Sequence, residues 1–482
     1  MIKGISTPHR SLFLFLGTFL IYLAFLPPGI YSIDGNEMLQ VADSLITHHN
    51  TTVLPGMGMT GRDGQQYSRW YPLQSFLAVP FVAAGRVVAH HAHLPEHYVE
   101  AFLATILDCL CTAAAVPLVA LIVLQLGGDE QGAWIAALSY AFGTIALAYA
   151  RTFFAEPLLA LLTAASIYLV LKFDNRSAIL SMLAVLAKPT GIIVGPVLSA
   201  YLLAKRRPLW QSLLPGLGGA MGLLIYCIYN FARFGNPLTF GQPWAFSPSV
   251  VPAAFFGLLI SPGHGIIWYC PCVVLAIVGF KKARRLDALL LVTIFAGFLM
   301  LHSFWLGWGG GWTWGPRFLL PTIPALVTLA ALLESKWRKA LIGLAILGFL
   351  INAPTLISFS ERYNAEALEQ GVSGFQQTWS PTKGALLQAW PAAIHEYQDA
   401  THHDVVELFN LRGAPSQSIE TSRALQIVAV WWWVLPVAHL PRSLGIVIAA
   451  VMCLLGIYLL YLSGRSSPRK ESLPIPPHPL SA

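Results

Sequence analysis

Apolar runs alternate with short polar segments along most of the chain. The runs cover residues 11–26, 98–126, 132–149, 157–172, 212–231, 264–280, 286–304, 317–333, 340–357 and 443–463. A helix needs about 20 mostly apolar residues to cross a bilayer. Inside lipid every backbone group must find its partner within the same segment. The pattern therefore predicts an all-α polytopic membrane protein. Two further segments fit less simply. Residues 178–204 are apolar but interrupted at Lys188-Pro189, and residues 71–90 are broken by Pro72, Pro80 and Arg86.

Basic clusters set the expected orientation. Lys205-Arg206-Arg207, the run Lys281, Lys282, Arg284 and Arg285, and Lys336 with Arg338 and Lys339 mark the cytoplasmic side, together with Lys3 and Arg10. Counting crossings between them puts residues 232–263 and 305–316 on the outer side. An even number of crossings must separate Arg10 from Lys205. Either 71–90 lies in the outer interface and 178–204 is a hairpin of two short helices, or 71–90 crosses and 178–204 is one kinked helix. The second puts Lys188 near mid-bilayer, at a cost of roughly 3 kcal/mol. The first is preferred, since it also keeps Lys172 and Arg176 inside. It places Lys188, Arg151 and Glu156 at the outer face. Residues 1–357 form the expected catalytic module, with a first outer loop at 27–97. Residues 358–424 are the one extended polar segment and read as a small outer cap. Residues 425–463 hold the last membrane segments, with the side of the C-terminus open. Residues 464–482 are Pro/Ser-rich and predict a disordered tail.

Composition agrees and narrows the class. The chain of 482 residues is 56% hydrophobic and 11% charged, against about 25% charged in soluble domains. The net charge of +7 sits in topology clusters and forms no basic face, so nucleic acid is not an expected partner. The six cysteines fall in apolar segments, which argues against a disulfide framework or a metal centre. No small-residue cleavage site follows Ser11–Leu26, which reads as a retained first span.

Candidate chemistry gathers on the expected outer side. The first outer loop opens with "YSIDGNEMLQ" and holds Asp34, Glu37, Asp63, Tyr67, Arg69 and Tyr71. On a helix starting at Ile33, Asp34 and Glu37 share a face, and Asp34 gains from the N-terminal dipole. Taken alone, the pair also fits a helix cap with a solvated acid. Arg69, Arg151, Lys188 and Arg317 supply cations, the last just after the bend "WGGGWTWGP". Arg317 by itself fits an interfacial anchor equally well. Cations can hold phosphate oxygens and meet leaving-group charge, and a carboxylate can take a proton from an attacking hydroxyl. His264 sits at a span mouth among glycines as a possible lining residue. The histidines around residues 90–97 read as a solvated loop, and Asp108 as an intramembrane acid paired with a neighbouring helix.

Seven stretches, in order, resemble the GT-C glycosyltransferases, in the branch with protein O-mannosyltransferases and the aminoarabinose transferase of lipid A. They are "YSIDGNEML", "GRDGQQYSRWYPLQSFLAVPF", "RTFFAEPLLALLTAASIYLVLK", "LAVLAKPTGIIVGP", "NFARFGNPLTFGQ", "LLISPGHGIIWYCP" and "GWTWGPRFLLPTIPAL". They cover residues 31 to about 330; residues 340–482 match weakly. The resemblance implies a bundle of about 11–13 transmembrane helices with interfacial helices in the first outer loop. It implies transfer of a sugar, with inversion, from a polyprenyl-phosphate donor to a lipid, glycan or protein acceptor. The expected setting is the bacterial inner (plasma) membrane, amid membrane lipids, with the site facing the periplasm or exterior. Asp34 matches the catalytic base and Glu37 a less fixed catalytic position. Glu156 matches the second acid, Lys188 a donor-phosphate lysine, and Arg317 a site-lining position also expected, with Arg69, to meet phosphate. "IDGNE" departs from the Asp-X-Asp of the metal-dependent branch, so no cofactor is expected to be required, although a divalent cation would be compatible. A lipid-linked sugar flippase and a surface-polysaccharide ligase or polymerase are the rival readings. The first lacks paired halves with matched broken helices. The second would concentrate its polar residues in a late outer loop.

Overall fold

A computed structural model of the chain describes residues 7–239, 246–410, 424 and 426–465. The tail expected to be disordered falls, beyond Arg465, outside the described residues, as does much of 411–425. In chain order the helices begin with α1 (Thr7–Ala24), α2 (Ile33–Thr47), α3 (Pro72–Ala92), α4 (Glu96–Gln125), α5 (Glu130–Phe142), α6 (Ala146–Tyr149) and α7 (Ala155–Leu171). They continue with α8 (Ser177–Ala187), α9 (Val194–Ala204), α10 (Leu209–Phe234), α11 (Val251–Ile260), α12 (Ile266–Tyr269), α13 (Ala276–Lys282) and α14 (Arg285–Ser303). The last are α15 (Ile323–Ala331), α16 (Arg338–Asn352), α17 (Ser360–Glu369), α18 (Gly374–Trp379), α19 (Ala385–His402), α20 (Val405–Asn410) and α21 (Arg442–Gly464). A two-stranded antiparallel ribbon, β1 (Met59–Thr60) with β2 (Gln66–Tyr67), is the only sheet among the described residues. The chain is thus an all-α bundle.

Six helical segments among the described residues are long and apolar enough to cross a membrane: Pro72–Ala92, Glu96–Gln125, Leu209–Phe234, Arg285–Ser303, Ser335–Leu356 and Arg442–Gly464. Packing qualifies the first. Gln74 of α3 donates to Asp108 of α4, and Gly85 abuts the backbone of Glu100. Cys109, one residue on, lies against the Phe19 carbonyl near the C-terminal end of α1. α3 therefore pairs with the N-terminal half of α4 and extends past the end of α1.

The segment 177–204 folds as a hairpin. α8 runs in the same direction as α10, with Gly218 against Ala178 and Gly222 against Met182. α9 runs back, Gly195 against Pro215 and Ser199 Oγ accepting from Gly216 N–H. Lys188 at the turn is extended (φ −161°, ψ 132°), because the residue before a proline is driven out of the α region. Gly191 permits the tight return: a Cβ there would sit 2.4 Å from the Ala184 carbonyl oxygen.

The basic clusters collect at one end of the bundle and pair across it. Arg10 meets Glu130 at 2.7 Å, Lys205 meets Asp287 at 2.8 Å, Lys282 meets Glu334 at 2.6 Å, and Arg338 pairs with Asp129. α1 and α21 pack antiparallel through Gly17 and Gly456, the close backbone approach typical of helices in lipid. The candidate residues lie at the opposite end.

Candidate active site

Four charged side chains from four segments converge there. Ser32 caps α2, its hydroxyl accepting from Gly35 N–H at 3.2 Å, and this sets Asp34 in the first turn. Glu156 opens α7, Lys188 is the turn of the α8–α9 hairpin, and Arg317 begins the 3₁₀ segment Arg317–Thr322 before α15. Lys188 Nζ lies 2.6 Å from Glu156 Oε1, Arg317 Nη1 donates to Asp34 Oδ2 at 3.0 Å, and Arg317 Nε is 3.4 Å from Glu156 Oε1. Glu156, Lys188 and Arg317 are buried, while Asp34 keeps 21% of its side chain exposed. Two acids and two cations make the cluster neutral, as a buried charge group must nearly be. Burial pushes the Asp34 carboxyl up from the ordinary carboxylate range, against the pull of Arg317.

Aromatic rings frame the cations. Lys188 lies 4.3 Å from the Phe318 ring centroid, and the Arg317 guanidinium sits over Phe154 at 4.5 Å. His302 stacks on Phe318 at 4.8 Å. Asp108 supports this wall: it accepts from Phe154 N–H at 2.7 Å and from Gln74 at 2.6 Å. It is paired with neighbouring segments, as expected.

Arg317 separates two cavities. One is lined by Tyr71, Lys188, Thr190, His302, Trp305 and Phe318 among others. The Thr190 hydroxyl is buried there without a hydrogen-bond partner among the described residues. The other, about 1180 Å³, is a cleft with Asp34, Trp305, Trp312, Thr313 and Glu361 on its walls. Glycines 310, 311 and 315 take positive φ (81°, 74°, 55°) in the bend that forms one side. Its far end is tied down by Tyr149, which donates to the Trp314 carbonyl at 2.7 Å.

Several expected site residues are placed elsewhere. Glu37, on the next turn of α2, is fully buried and spent on Arg69: Nε at 3.0 Å and Nη2 at 2.5 Å to Oε1, with the Arg69 amide at 2.9 Å to Oε2. The pair pins α2 to the segment entering α3, and neither residue lines the two cavities. Asp63 and Tyr67 bond each other at 2.8 Å on the ribbon, away from the cluster. Arg151, by contrast, borders a chamber beside the cleft, buried and donating to the carbonyls of Phe25, Thr355 and Ala429. His264 packs edge-on against Trp308 beneath the glycine bend; burial lowers its pKa. Thr190, His302, Trp305 and Glu361 are lining residues that sequence reasoning missed. Only His302 carried a local signal, a histidine at the end of an apolar run beside "WLGWGGG".

Comparison with known proteins agrees with this architecture. Residues 92–204, the stretch carrying Asp108, Glu156 and Lys188, match the family model described as dolichyl-phosphate-mannose-protein mannosyltransferase. The whole fold is similar to ArnT from Cupriavidus metallidurans in the apo state, at TM-score 0.51 and 15% identity, covering 95% of this chain and 77% of that one. It is equally similar to ArnT bound to undecaprenyl phosphate, at TM-score 0.51 and 16% identity over 95% and 78%. No curated protein matches in sequence. The fold is thus similar to that of ArnT, and residues 92–204 match a mannosyltransferase family model.

Proposed function

We propose that the protein transfers a sugar from a polyprenyl-phosphate donor to an acceptor hydroxyl (or amine) at the outer face of the membrane, with inversion. One observation carries this reading: a part-exposed carboxylate, Asp34, stands across Arg317 from a cavity holding a second cation, Lys188. Asp34 Oδ2 receives Arg317, and Oδ1 has no hydrogen-bond partner among the described residues. In the step proposed, the acceptor O–H proton moves to Asp34 as the oxygen lone pair forms the new bond to the anomeric carbon. The bond from that carbon to phosphate oxygen breaks, and its electron pair leaves with polyprenyl phosphate. Lys188 and Arg317 meet the departing charge, and the Thr190 hydroxyl can donate to it. Glu156 and Asp34 together balance the two cations before the donor arrives. The outer-face assignment rests on the basic clusters, which lie at the opposite end of the bundle.

The test is reconstitution with polyprenyl-phosphate sugars. Release of polyprenyl phosphate together with a glycosylated acceptor is expected. Movement of the intact donor across the membrane without cleavage would replace this reading with a flippase.

A further inference from the structure

The cleft at Asp34 does not end at its own walls. Tyr31, Ser32, Phe154, Thr313 and Glu361 also line a narrow chamber reaching toward Thr355 and Ser358. Glu361 reaches it from α17 in the polar cap segment, far along the chain from the matched family stretch. Its carboxylate accepts from Ser360 Oγ at 3.2 Å.

The charges on the two sides of Arg317 differ in kind. On the Lys188 side the charged lining residues are Lys188 and Arg317 alone. On the chamber side they are Asp34, Glu361, Arg317 and Arg151. There Arg317 is already bonded to Asp34, and all of the Arg151 nitrogens donate to backbone carbonyls. A ligand in the chamber therefore meets two carboxylates and several hydroxyls, beside an Arg151 fully bonded to carbonyls and an Arg317 bonded to Asp34 through Nη1. Inverting displacement adds a direction: the acceptor must approach opposite the leaving phosphate. With phosphate at Lys188, that approach comes through the chamber.

We propose that this chamber is the acceptor subsite, that it takes a neutral hydroxyl-bearing group, and that Glu361 selects that group against anionic acceptors. The inference rests on the transfer reading above. An ionised carboxylate offers two oxygens to the hydroxyls of a polyol and repels a phosphate acceptor by like charge, so one side chain supplies both attraction and rejection. Glu361 is thus a specificity-determining residue; the proton and the bond exchange stay with Asp34 as described.

The experiment uses the full chain in lipid nanodiscs with decaprenyl-phosphate mannose as donor. The acceptor probes are octyl glucoside, below its micelle concentration, and octyl phosphate. The wild type is expected to prefer octyl glucoside at least about tenfold in kcat/KM. Glu361→Gln is expected to raise the octyl glucoside KM roughly tenfold or more, from loss of charge-assisted hydrogen bonds. Glu361→Arg is expected to shift preference toward octyl phosphate. Binding of decaprenyl phosphate should be unchanged in both variants, which also reports that they are folded. Equal use of the two probes by the wild type, or an unchanged KM in Glu361→Gln, overturns the inference. If Asp34→Asn is dead while Glu361→Gln is normal, only this inference falls. If Asp34→Asn still transfers mannose, the underlying reading falls with it.

Discussion

Lys188 and Glu156, separated by 32 residues in sequence, meet at 2.6 Å inside the bundle. Each is the other's nearest opposite charge at this depth. Removing one partner of such a pair costs about 3–5 kcal/mol, whereas replacing both can be neutral. Lys188→Ala is therefore expected to lower stability by about that amount and to weaken lipid-phosphate binding. The double variant Lys188→Met with Glu156→Gln should recover thermal stability in detergent without recovering decaprenyl phosphate binding. Wild-type binding by the double variant would remove Lys188 from the phosphate subsite.

Asp34→Asn keeps the shape of the side chain and the N-terminal turn of α2 but cannot take a proton at neutral pH. General-base groups contribute about 10²–10⁴-fold. A single-turnover rate lowered by that factor, with the thermal melting profile retained, is the expected result.

The same carboxyl predicts a pH dependence. Burial raises its pKa, and only the ionised form is a base. The transfer rate should rise with pH and level off, with its acid limb lying above the ordinary carboxylate range near 4. A rate that stays flat down to that range would speak against Asp34.

Glu37 was expected beside Asp34 in the chemistry, and its bonds to Arg69 assign it to holding α2 in place. Glu37→Gln should destabilise the protein by about 1–3 kcal/mol, since part of the buried bonding to Arg69 is lost. It should reduce the transfer rate far less than Asp34→Asn. Equal losses in the two variants would return Glu37 to the reaction.

Glu396 of α19 is fully buried, with Oε2 accepting from Ser358 Oγ at 2.7 Å and Oε1 unpartnered among the described residues. Burial holds its pKa well above the usual value. Its contribution to stability is full below the unfolded-state pKa and is lost as pH rises through the folded-state value. Melting temperature should fall with rising pH, and Glu396→Gln should flatten that slope. An unchanged slope in the variant would assign the effect to another group.

What was legible in the sequence follows physical lines. Apolar runs and basic clusters predict the spans and the shared end of Arg10, Lys205, Lys282 and Arg338, because lipid and surface charge act residue by residue. The hairpin at Lys188 was legible because a mid-bilayer lysine weighs against the single kinked helix. Asp34, Glu156, Lys188 and Arg317 stood out as charges where charge is costly. Their mutual distances were not legible, since they depend on the packing of α2, α7, α8 and the segment leading into α15. Glu37 and Arg69 looked like site residues for the same reason that they pair: both are polar groups at a membrane edge. Glu361 was invisible because a glutamate in a polar segment carries no local signal, and only the cap's return to the cleft gives it one.

Arg151 bonds the carbonyls of Phe25, Thr355 and Ala429, the last of them 278 residues away in sequence. During synthesis the guanidinium therefore waits for its final acceptor until the ribosome has made nearly the whole chain. Until then the loop that carries Phe153 and Phe154, and with them one wall of the cleft, lacks one of its three ties. A chain ending before Ala429 would leave this buried cation one carbonyl short of its full set.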